Sequence, residues 1–353
     1  MRILYGVVGE GMGHATRSRV VIEHLVAKGH DVRVVASGRA RAYLAERAAS
    51  VGEIWGLTMA YSENEVRRWQ TLGRNLQGAV SGWPRNVREY FRVVEAFAPE
   101  AVVSDFESFA WLFGRRHRLP VISVDNIQII DRCRHDEAIT AGHEADFELA
   151  RALVRWKLPG CRHYVVTTFF RPPLRKPRTT LVPSLLRAEI LAAAPEPGDH
   201  LLVYQTAEGN EGLPAALAAS GLPCRVYGFR RDLPADVRDG RILYRPFSEA
   251  VFIDDLRTAS GVLTGGGFTL LSECVHLGVP ALSIPLAGQF EQVLNARYLE
   301  RLGYGMYAPH PTDAAIAAFA ERLADCRASL REAERPGNGP ALAAVDEQLA
   351  AVA

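Results

Sequence analysis

Two glycine-rich segments of the sequence stand where a buried strand is predicted to pass into a helix. The first is GEGMGH, residues 9–14, which follows a short apolar run at 2–8. The second is GGGFT, residues 265–269, which follows the apolar run 261–264. Glycines let a ligand approach the backbone, and the first turn of a helix offers N–H groups without partners. Gly265, Gly266, Gly267 and Thr269 are therefore predicted to hold a diphosphate without a cation.

His14 ends the first glycine segment and is the candidate for proton transfer. An imidazole that titrates near neutrality can take a proton from a hydroxyl group. Asp105 comes directly after the apolar run 101–104, so it would lie at the same sheet edge, orient the ring and stabilise the imidazolium. The alternative is that Asp105 only caps the helix that follows it. The remaining residues assigned to the acceptor side of these loops are Gly11, Gly13 and Glu107.

Polar side chains that suit a ribose and a sugar follow the second glycine segment. Glu273 lies four residues after Thr269, one helical turn deeper on the same face, where it could accept hydrogen bonds from a ribose diol. The next strand-to-helix loop, 285–295, carries Gln289 and Gln292, together with further carboxylate and amide groups. Side chains of this kind can hydrogen-bond the hydroxyl groups of a sugar.

The elements that must position these residues alternate between strand-like and helix-like patterns. This rhythm predicts an α/β protein with two Rossmann-like, doubly wound parallel-sheet domains that face each other across a cleft. Residues 1–170 would form an acceptor-binding domain, and 184–335 a donor-binding domain. The segment 171–183 is predicted to be a linker, because its Pro- and Arg-rich residues 171–178 are unlikely to form helix or strand. The Ala-rich tail, 336–353, is predicted to be helical.

The composition restricts the classes of partner. The chain has 353 residues, 23% of them charged, and a formal net charge of +1, which argues against nucleic acid as a partner. Five scattered cysteines exclude a zinc ribbon and fit a reducing compartment, and the absence of an Asp-x-Asp motif gives no indication of a metal. No signal peptide and no apolar run long enough to span a bilayer are recognised. A cytoplasmic protein is expected, and peripheral contact with a membrane stays open.

A dinucleotide site is the first alternative. The loop reads G-x-G-x-G-H instead of G-x-G-x-x-G, and the second predicted strand ends at 36–39 without the acid that would hold a ribose diol. Arg39 and Arg41 could accommodate a 2′-phosphate, so an NADP-dependent oxidoreductase is still open.

Three stretches of the sequence resemble those of glycosyltransferases with the GT-B fold. TGGGFTLLSECVHLGVPALSIPLAGQFEQVLNA, residues 264–296, resembles their donor-binding signature. GEGMGHATRS resembles their N-terminal glycine loop, and VVSDFESFA resembles the segment that carries the partner aspartate of the catalytic histidine. The similarity is to the small-molecule UDP-glycosyltransferases and to the lipid-linked N-acetylglucosaminyl transferase of peptidoglycan synthesis. It extends to a group of bacterial and archaeal proteins that are related to that transferase or to teichoic acid synthesis.

The resemblance implies an inverting, metal-independent transfer of a sugar from a UDP- or dTDP-sugar to a hydroxyl-bearing acceptor, with no cofactor besides this co-substrate. The acceptor would be a small molecule, a glycan or a lipid-linked compound. His14 would be the general base, assisted by Asp105. The implied donor contacts are Thr206 and Gly265–Thr269 for the diphosphate, Glu273 for the ribose, Phe247 for the base, and Gln289 and Gln292 for the sugar. Plant-type members have a histidine at the position of Gly265, so that contact must be replaced by Thr269 or a backbone amide.

Two further alternatives share this architecture. A nucleotide-sugar 2-epimerase would bind the same donor, but no Arg-Glu-Arg run like its catalytic segment is found. A non-catalytic nucleotide-sugar-binding protein would not need His14 and Asp105. The segment 61–90 contains Trp69, Trp83 and Tyr90, which would line an acceptor pocket or a lipid-facing surface, or belong to the core.

Overall fold

The computed structural model of the protein describes residues 1–9, 11–46, 51–54, 61–62, 65–66, 86–92, 97–196, 198–205, 212–230 and 233–353. Of the residues discussed above, Thr206, Trp69 and Trp83 lie outside this set. Within the described residues the chain forms two α/β lobes, each built on a seven-stranded sheet.

The N-terminal lobe has a fully parallel sheet with the strand order β3-β2-β1-β6-β7-β8-β9. Its strands are β1 (Arg2–Val7), β2 (Asp31–Ala36), β3 (Val51–Glu53), β6 (Ala101–Asp105), β7 (Val121–Asp125), β8 (His163–Thr167) and β9 (Thr179–Val182). Two short strands, β4 (Tyr61–Ser62) and β5 (Glu65–Val66), pair separately. The central strands are buried on both faces, which explains why they read as continuous apolar runs.

Helices cover both faces of this sheet. The helices whose two ends are described are α1 (Met12–Ala27), α2 (Gly38–Ala45), α3 (Ser108–His117), α4 (Ile129–Arg132), α5 (Glu137–Thr140) and α6 (Glu144–Lys157), and residues 86–92 are also helical. Helices α1 and α2 pack with Ile3 and Tyr5 on one face, whereas α3, α4 and α6 pack with Leu4 and Val102 on the other.

The prediction of a linker at residues 171–183 is partly wrong. Residues 179–182 of the segment 171–183 form β9, which pairs in parallel with β8 as the edge strand of the N-terminal sheet. The Pro-rich residues lie before this strand in the chain. Pro177 precedes β9, and a proline outside the paired residues removes no hydrogen bond from the ladder.

The C-terminal lobe repeats the architecture with the strand order β12-β13-β11-β10-β14-β15-β16, in which only the edge strand β12 is antiparallel. The strands are β10 (Leu201–Tyr204), β11 (Cys224–Tyr227), β12 (Val237–Asp239), β13 (Ile242–Arg245), β14 (Gly261–Thr264), β15 (Ala281–Ser283) and β16 (Gly305–Tyr307). The helices are α7 (Ala188–Leu191), α8 (Gly212–Ser220), α9 (Glu249–Arg257), α10 (Phe268–Leu277), α11 (Phe290–Arg301) and α12 (Asp313–Arg331).

The two lobes are in direct contact along one side. Phe290, Leu294 and Tyr298 of α11 belong to the same buried apolar cluster as the α3 face of the N-terminal lobe. The ring of Phe170 stacks on that of Tyr298 with centroids 4.0 Å apart. Because this contact excludes water, it fixes α11 next to the N-terminal lobe.

The C-terminal tail returns to the N-terminal lobe. As predicted it is helical, and this helix is α13 (Gly339–Ala350). Ala341, Val345 and Leu349 are buried in the apolar cluster that also contains Val124 and Val165 of the N-terminal sheet. The last helix therefore completes the core of the first lobe.

We predict that Leu349→Ala lowers the free energy of unfolding by about 2–5 kcal/mol, because it removes a leucine that is 1% exposed and leaves a cavity. Glu347→Ala, on the exposed face of the same helix, should change it by less than about 0.5 kcal/mol. Urea unfolding measures both. Equal effects would show that α13 is not part of the folded core.

Candidate active site

The candidate catalytic residues lie where the order of the N-terminal sheet reverses direction. Strands β1 and β6 are neighbours, but the helix after β1 packs on one face of the sheet and the helix after β6 packs on the other. Such a switch point leaves a crevice outside the carboxyl ends of the strands. His14 lies in the first turn of α1, and Asp105 is the last residue of β6.

His14 and Asp105 are in contact. The distance from His14 Nδ1 to Asp105 Oδ1 is 2.7 Å, and the side chains are 15% and 0% exposed. The carboxylate also accepts a hydrogen bond of 2.9 Å from Ser18 Oγ. The side chain of Asp105 therefore faces α1 and does not cap the helix that follows β6.

Arg17 is the residue of this site that sequence reasoning missed. Its guanidinium donates to Asp105 from Nε (3.2 Å) and from Nη2 (2.7 Å), and it is 2% exposed. Nη2 also lies 2.8 Å from His14 Nδ1. Nη2 donates its N–H groups to the two oxygens of Asp105, and Asp105 can only accept, so we assign the imidazole proton to Nδ1, which leaves Nε2 as the basic nitrogen. The available signal was an arginine three residues after His14, one turn along the same helix face.

Two buried carboxylates at the ends of neighbouring strands have pKa values that are shifted in opposite directions. Burial alone would raise the pKa of Asp105, but Arg17 and His14 outweigh it and lower that pKa to about 2. Asp125 ends β7 and is fully buried, with Ser123 Oγ and the Gln128 N–H donating to it. Burial, and then the charge of Asp105, raise the pKa of Asp125 to about 6. Asp105 is thus fixed as a carboxylate, whereas Asp125 changes charge near neutrality.

A chain of hydrogen bonds connects the dyad to the other lobe. Arg17 Nη1 donates to Asn126 Oδ1 at 2.8 Å, and Asn126 Nδ2 donates to Glu291 Oε1 at 2.7 Å. Glu291 lies in the first turn of α11, in the loop that was assigned to the donor sugar. The His14–Asp105 pair and the start of α11 are therefore held in one polar network.

The assignment of Glu107 to the acceptor side is wrong. Glu107 is the N-cap of α3, and its two carboxylate oxygens accept 2.7 Å hydrogen bonds from the backbone N–H groups of Phe109 and Ala110. The side chain is buried, and a methyl group on Gly6 would lie 2.7 Å from Oε2. Its oxygens accept hydrogen bonds from the otherwise unpaired N–H groups of the helix and are not directed at a ligand.

The two glycine loops meet across the cleft. Gly11 precedes α1 with a φ of +80°, a conformation that favours glycine. A methyl group on Gly13 would lie 2.5 Å from Thr269 Oγ1. His14 is thereby placed opposite the first turn of α10.

The glycines before α10 form a supported loop. Gly266 has a φ of +89°, and a methyl group there would lie 2.6 Å from Ser283 Oγ and 2.9 Å from the Gln292 carbonyl oxygen. Gly267 is the N-cap of α10, without a side-chain cap, and a methyl group on it would meet no described atom within 4 Å. The loop is packed on its sheet side, and the helix N-terminus is available to an anion.

Glu273 has a partner that the sequence did not reveal. Arg187 donates to it from Nε (2.8 Å) and Nη2 (3.0 Å), and to Glu249 from Nη1 (2.9 Å). Burial raises the pKa of Glu273, and Arg187 opposes this rise. A ribose bound to Glu273 would share the carboxylate with Arg187.

The other predicted donor contacts lie at the carboxyl edge of the second sheet. Gln292 Oε1 accepts from the Leu286 N–H at 2.9 Å and lies against Gly265. Gln289 immediately precedes α11. Phe247 follows β13, is 58% exposed and lies 5.7 Å from the ring of Phe252. Of these three residues, Gln292 contacts the loop before α10.

Comparison with known proteins identifies the family. The model of glycosyl transferase family 1 matches residues 1–324. The chain belongs to this family. An uncharacterized glycosyltransferase of Methanosarcina acetivorans is 24% identical over 92% of this chain and 88% of its own. The family assignment replaces the oxidoreductase alternative.

Solved structures agree in fold. The calicheamicin glycosyltransferase CalG4 superposes with a TM-score of 0.67 at 20% identity, covering 100% of this chain and 99% of its own. The Streptomyces glycosyltransferase SsfS6, complexed with thymidine diphosphate, superposes with a TM-score of 0.62 at 16% identity, covering 98% of this chain and 99% of its own. The predicted GT-B fold, two Rossmann-like lobes, is confirmed. In the described part of the chain, no helix is long and apolar enough to cross a bilayer.

The two pKa shifts predict opposite pH dependences of stability. Asp105 has a folded pKa below its ordinary value of 3.8, so its contribution is present above pH 4 and is lost as the pH falls through 2. Asp125 has a folded pKa of about 6, so it contributes stability below pH 4 that is lost as the pH rises through 6.

We predict that Asp125→Asn removes the pH-dependent stability that Asp125 contributes, which amounts to at most about 3 kcal/mol. Urea unfolding at pH 5 and pH 8 measures it. The wild-type protein should lose more stability between these values than the variant. An equal loss of stability in the wild-type protein and the variant would contradict the raised pKa of Asp125.

Proposed function

We propose that the protein is an inverting glycosyltransferase that moves a sugar from a UDP- or dTDP-sugar to an acceptor hydroxyl, with His14 as the general base. The observation that carries this proposal is the position of the His14–Asp105 pair opposite the uncapped N-terminus of α10. A base and an anion site then stand on the two sides of one reacting carbon.

In the proposed reaction, His14 Nε2 takes the proton of the acceptor hydroxyl as its oxygen attacks the anomeric carbon. The bond from that carbon to the diphosphate oxygen breaks, and the diphosphate leaves with the electron pair. Attack opposite to the leaving group inverts the anomeric centre. Asp105 stabilises the imidazolium, and the N–H groups of α10 stabilise the diphosphate.

Arg17 acts in this mechanism through Asp105. It keeps the carboxylate ionised and fixes both of its oxygens, so that the imidazole is held in one tautomer. Through Asn126 and Glu291 it also aligns the base with the donor loop. A group that is positioned before reaction need not reorganise as charge develops.

The proposed donor contacts are Gly265–Gly267 and Thr269 for the diphosphate, Glu273 for the ribose, Phe247 for the base, and Gln289 and Gln292 for the sugar. Because Gln292 Oε1 is occupied by Leu286, its amide N–H groups are the ones offered to the sugar. The proposed diphosphate contact of Thr206 lies outside the described residues. The thymidine diphosphate complex of SsfS6 supports a pyrimidine donor.

Metal independence and a cytoplasmic location are part of the proposal. Among the described residues, no three His, Cys, Asp or Glu side chains are grouped as a metal site, and the helix N-terminus supplies the positive end of a dipole. The five cysteines are unpaired, as in reducing compartments. For the acceptor we propose only a hydroxyl group, without a lipid-linked specificity.

We predict that His14→Ala binds donor normally and loses transfer by about 10²–10⁴-fold, because only proton removal is impaired. Release of the nucleoside diphosphate from a UDP- or dTDP-sugar with a panel of hydroxyl acceptors measures transfer. His24→Ala, on the same helix but paired with Asp346, is the control. Unchanged turnover of His14→Ala would remove His14 from the mechanism, and epimerised donor without transfer would favour the epimerase.

We predict that Gly267→Ala folds normally but binds nucleoside diphosphate at least about tenfold more weakly, since the added methyl group enters open space over the helix N-terminus. Calorimetric titration measures the affinity. Gly339→Ala, also in open space but at the start of α13, is the matched control. Equal affinity of the two variants would place the diphosphate elsewhere.

A further inference from the structure

A cavity of about 260 Å³ lies on the face of the N-terminal sheet that α4 and α6 cover. It is lined by these two helices, by Gln128, by residues 158–160 before β8 and by residues 176–178 before β9. None of its lining residues belongs to the catalytic pair or to the proposed donor contacts. Because pockets for drug-sized ligands measure roughly 300–1,000 Å³, this cavity suits a small molecule.

Gln128 brings an unsatisfied amide to the cavity. The residue is 2% exposed, and its backbone N–H donates to Asp125 Oδ1 at 2.8 Å. Among the described residues, its side-chain Nε2 has no hydrogen-bond partner. A buried amide without a partner is destabilising, and a half turn about its last bond brings either its nitrogen or its oxygen toward the cavity. A polar ligand in the cavity would supply the missing partner.

The cavity has an excess of positive charge. Its one acidic lining residue is Asp131, whereas its basic lining residues are Arg132, Arg155, Lys176 and Arg178. Asp131 already forms ion pairs with Lys176 and with Arg175, the latter at 2.6 Å, and lies 3.5 Å from Arg155. This carboxylate therefore cannot also neutralise the remaining two arginines.

Those two arginines keep their charge for a ligand. Arg132 donates from Nε to the uncharged Thr179 Oγ1 at 2.6 Å, and its guanidinium lies 3.6 Å from the centroid of the Tyr164 ring. Arg178 is exposed, and its side chain forms neither a hydrogen bond nor an ion pair in the part of the chain that the structure describes. Guanidinium groups without an acidic partner favour an anion that can accept several hydrogen bonds.

We propose that this cavity binds the phosphate group of a small molecule, either a phosphomonoester or inorganic phosphate. A phosphate group carries a charge of about −1.5 to −2 and three acceptor oxygens, and a guanidinium can donate to two of them at once. A single carboxylate has one charge and two oxygens, so it would leave more of the donors of Arg132, Arg178 and Gln128 without partners. The proposal does not rest on the proposed function.

Calorimetric titration of the full chain with inorganic phosphate and with glycerol 3-phosphate tests the proposal. The titrations are made at pH 8, where the phosphate is a dianion, and at an ionic strength held constant with sodium chloride. Arg178→Gln should weaken binding by about tenfold, because it removes a charged hydrogen-bond donor. Arg322→Gln, an exposed arginine of α12, is the matched control and should leave the affinity unchanged.

Gln128→Leu separates a ligand contact from a role in folding. It should weaken phosphate binding by about fivefold or more, because the amide no longer contacts the ligand. Without phosphate it should not lower the free energy of unfolding, since it removes a buried amide that has no partner in the folded protein. Urea unfolding measures this second effect.

The proposal requires that Arg178→Gln and Gln128→Leu both lose affinity while the control keeps it. Binding that Gly267→Ala abolishes and Arg178→Gln leaves intact would overturn the proposal, because the phosphate would then lie at α10. Absence of binding of both phosphate compounds would also overturn it. Succinate that binds in their place, with the same dependence on Arg178, would overturn it in favour of a dicarboxylate.

Discussion

The buried ion pair between Arg17 and Asp105 is the constraint on which the candidate site depends. A carboxylate without exposed surface is strongly destabilising unless a cation and hydrogen bonds compensate it, and Arg17 and Ser18 supply both. His14 and Asn126 are attached to the same pair. The pair thus fixes the first turn of α1, the end of β6 and the loop after β7 relative to one another.

The contact between the lobes extends this constraint to the C-terminal lobe. Asn126 reaches Glu291, and the stacked rings of Phe170 and Tyr298 hold α11 against the N-terminal lobe. Apolar packing supplies the affinity of the two lobes for each other, whereas the partly buried polar contact fixes their relative position. Proton removal and diphosphate departure, as proposed, would then occur at groups whose separation is set by the fold.

Much of the fold could be predicted from the sequence because apolar runs and glycine turns are local signals. The parallel strands, the glycine loop before α10 and the helical tail are examples. Strand β9 was missed because the prolines that precede it resemble a linker. Arg17 and Arg187 were missed because their partners, Asp105 and Glu273, lie 88 and 86 residues away. Glu107 was misassigned because a carboxylate that caps a helix has the same local pattern as one that faces a ligand.

We propose that a pyrimidine nucleoside diphosphate binds in front of α10 without a metal. The most direct test is calorimetric titration of the wild-type chain with UDP, dTDP, GDP and NADP, in one series with EDTA present throughout and in a parallel series without it. We expect micromolar binding of UDP or dTDP, and weak or no binding of GDP and NADP. Binding that disappears in EDTA, or binding of NADP alone, would contradict it.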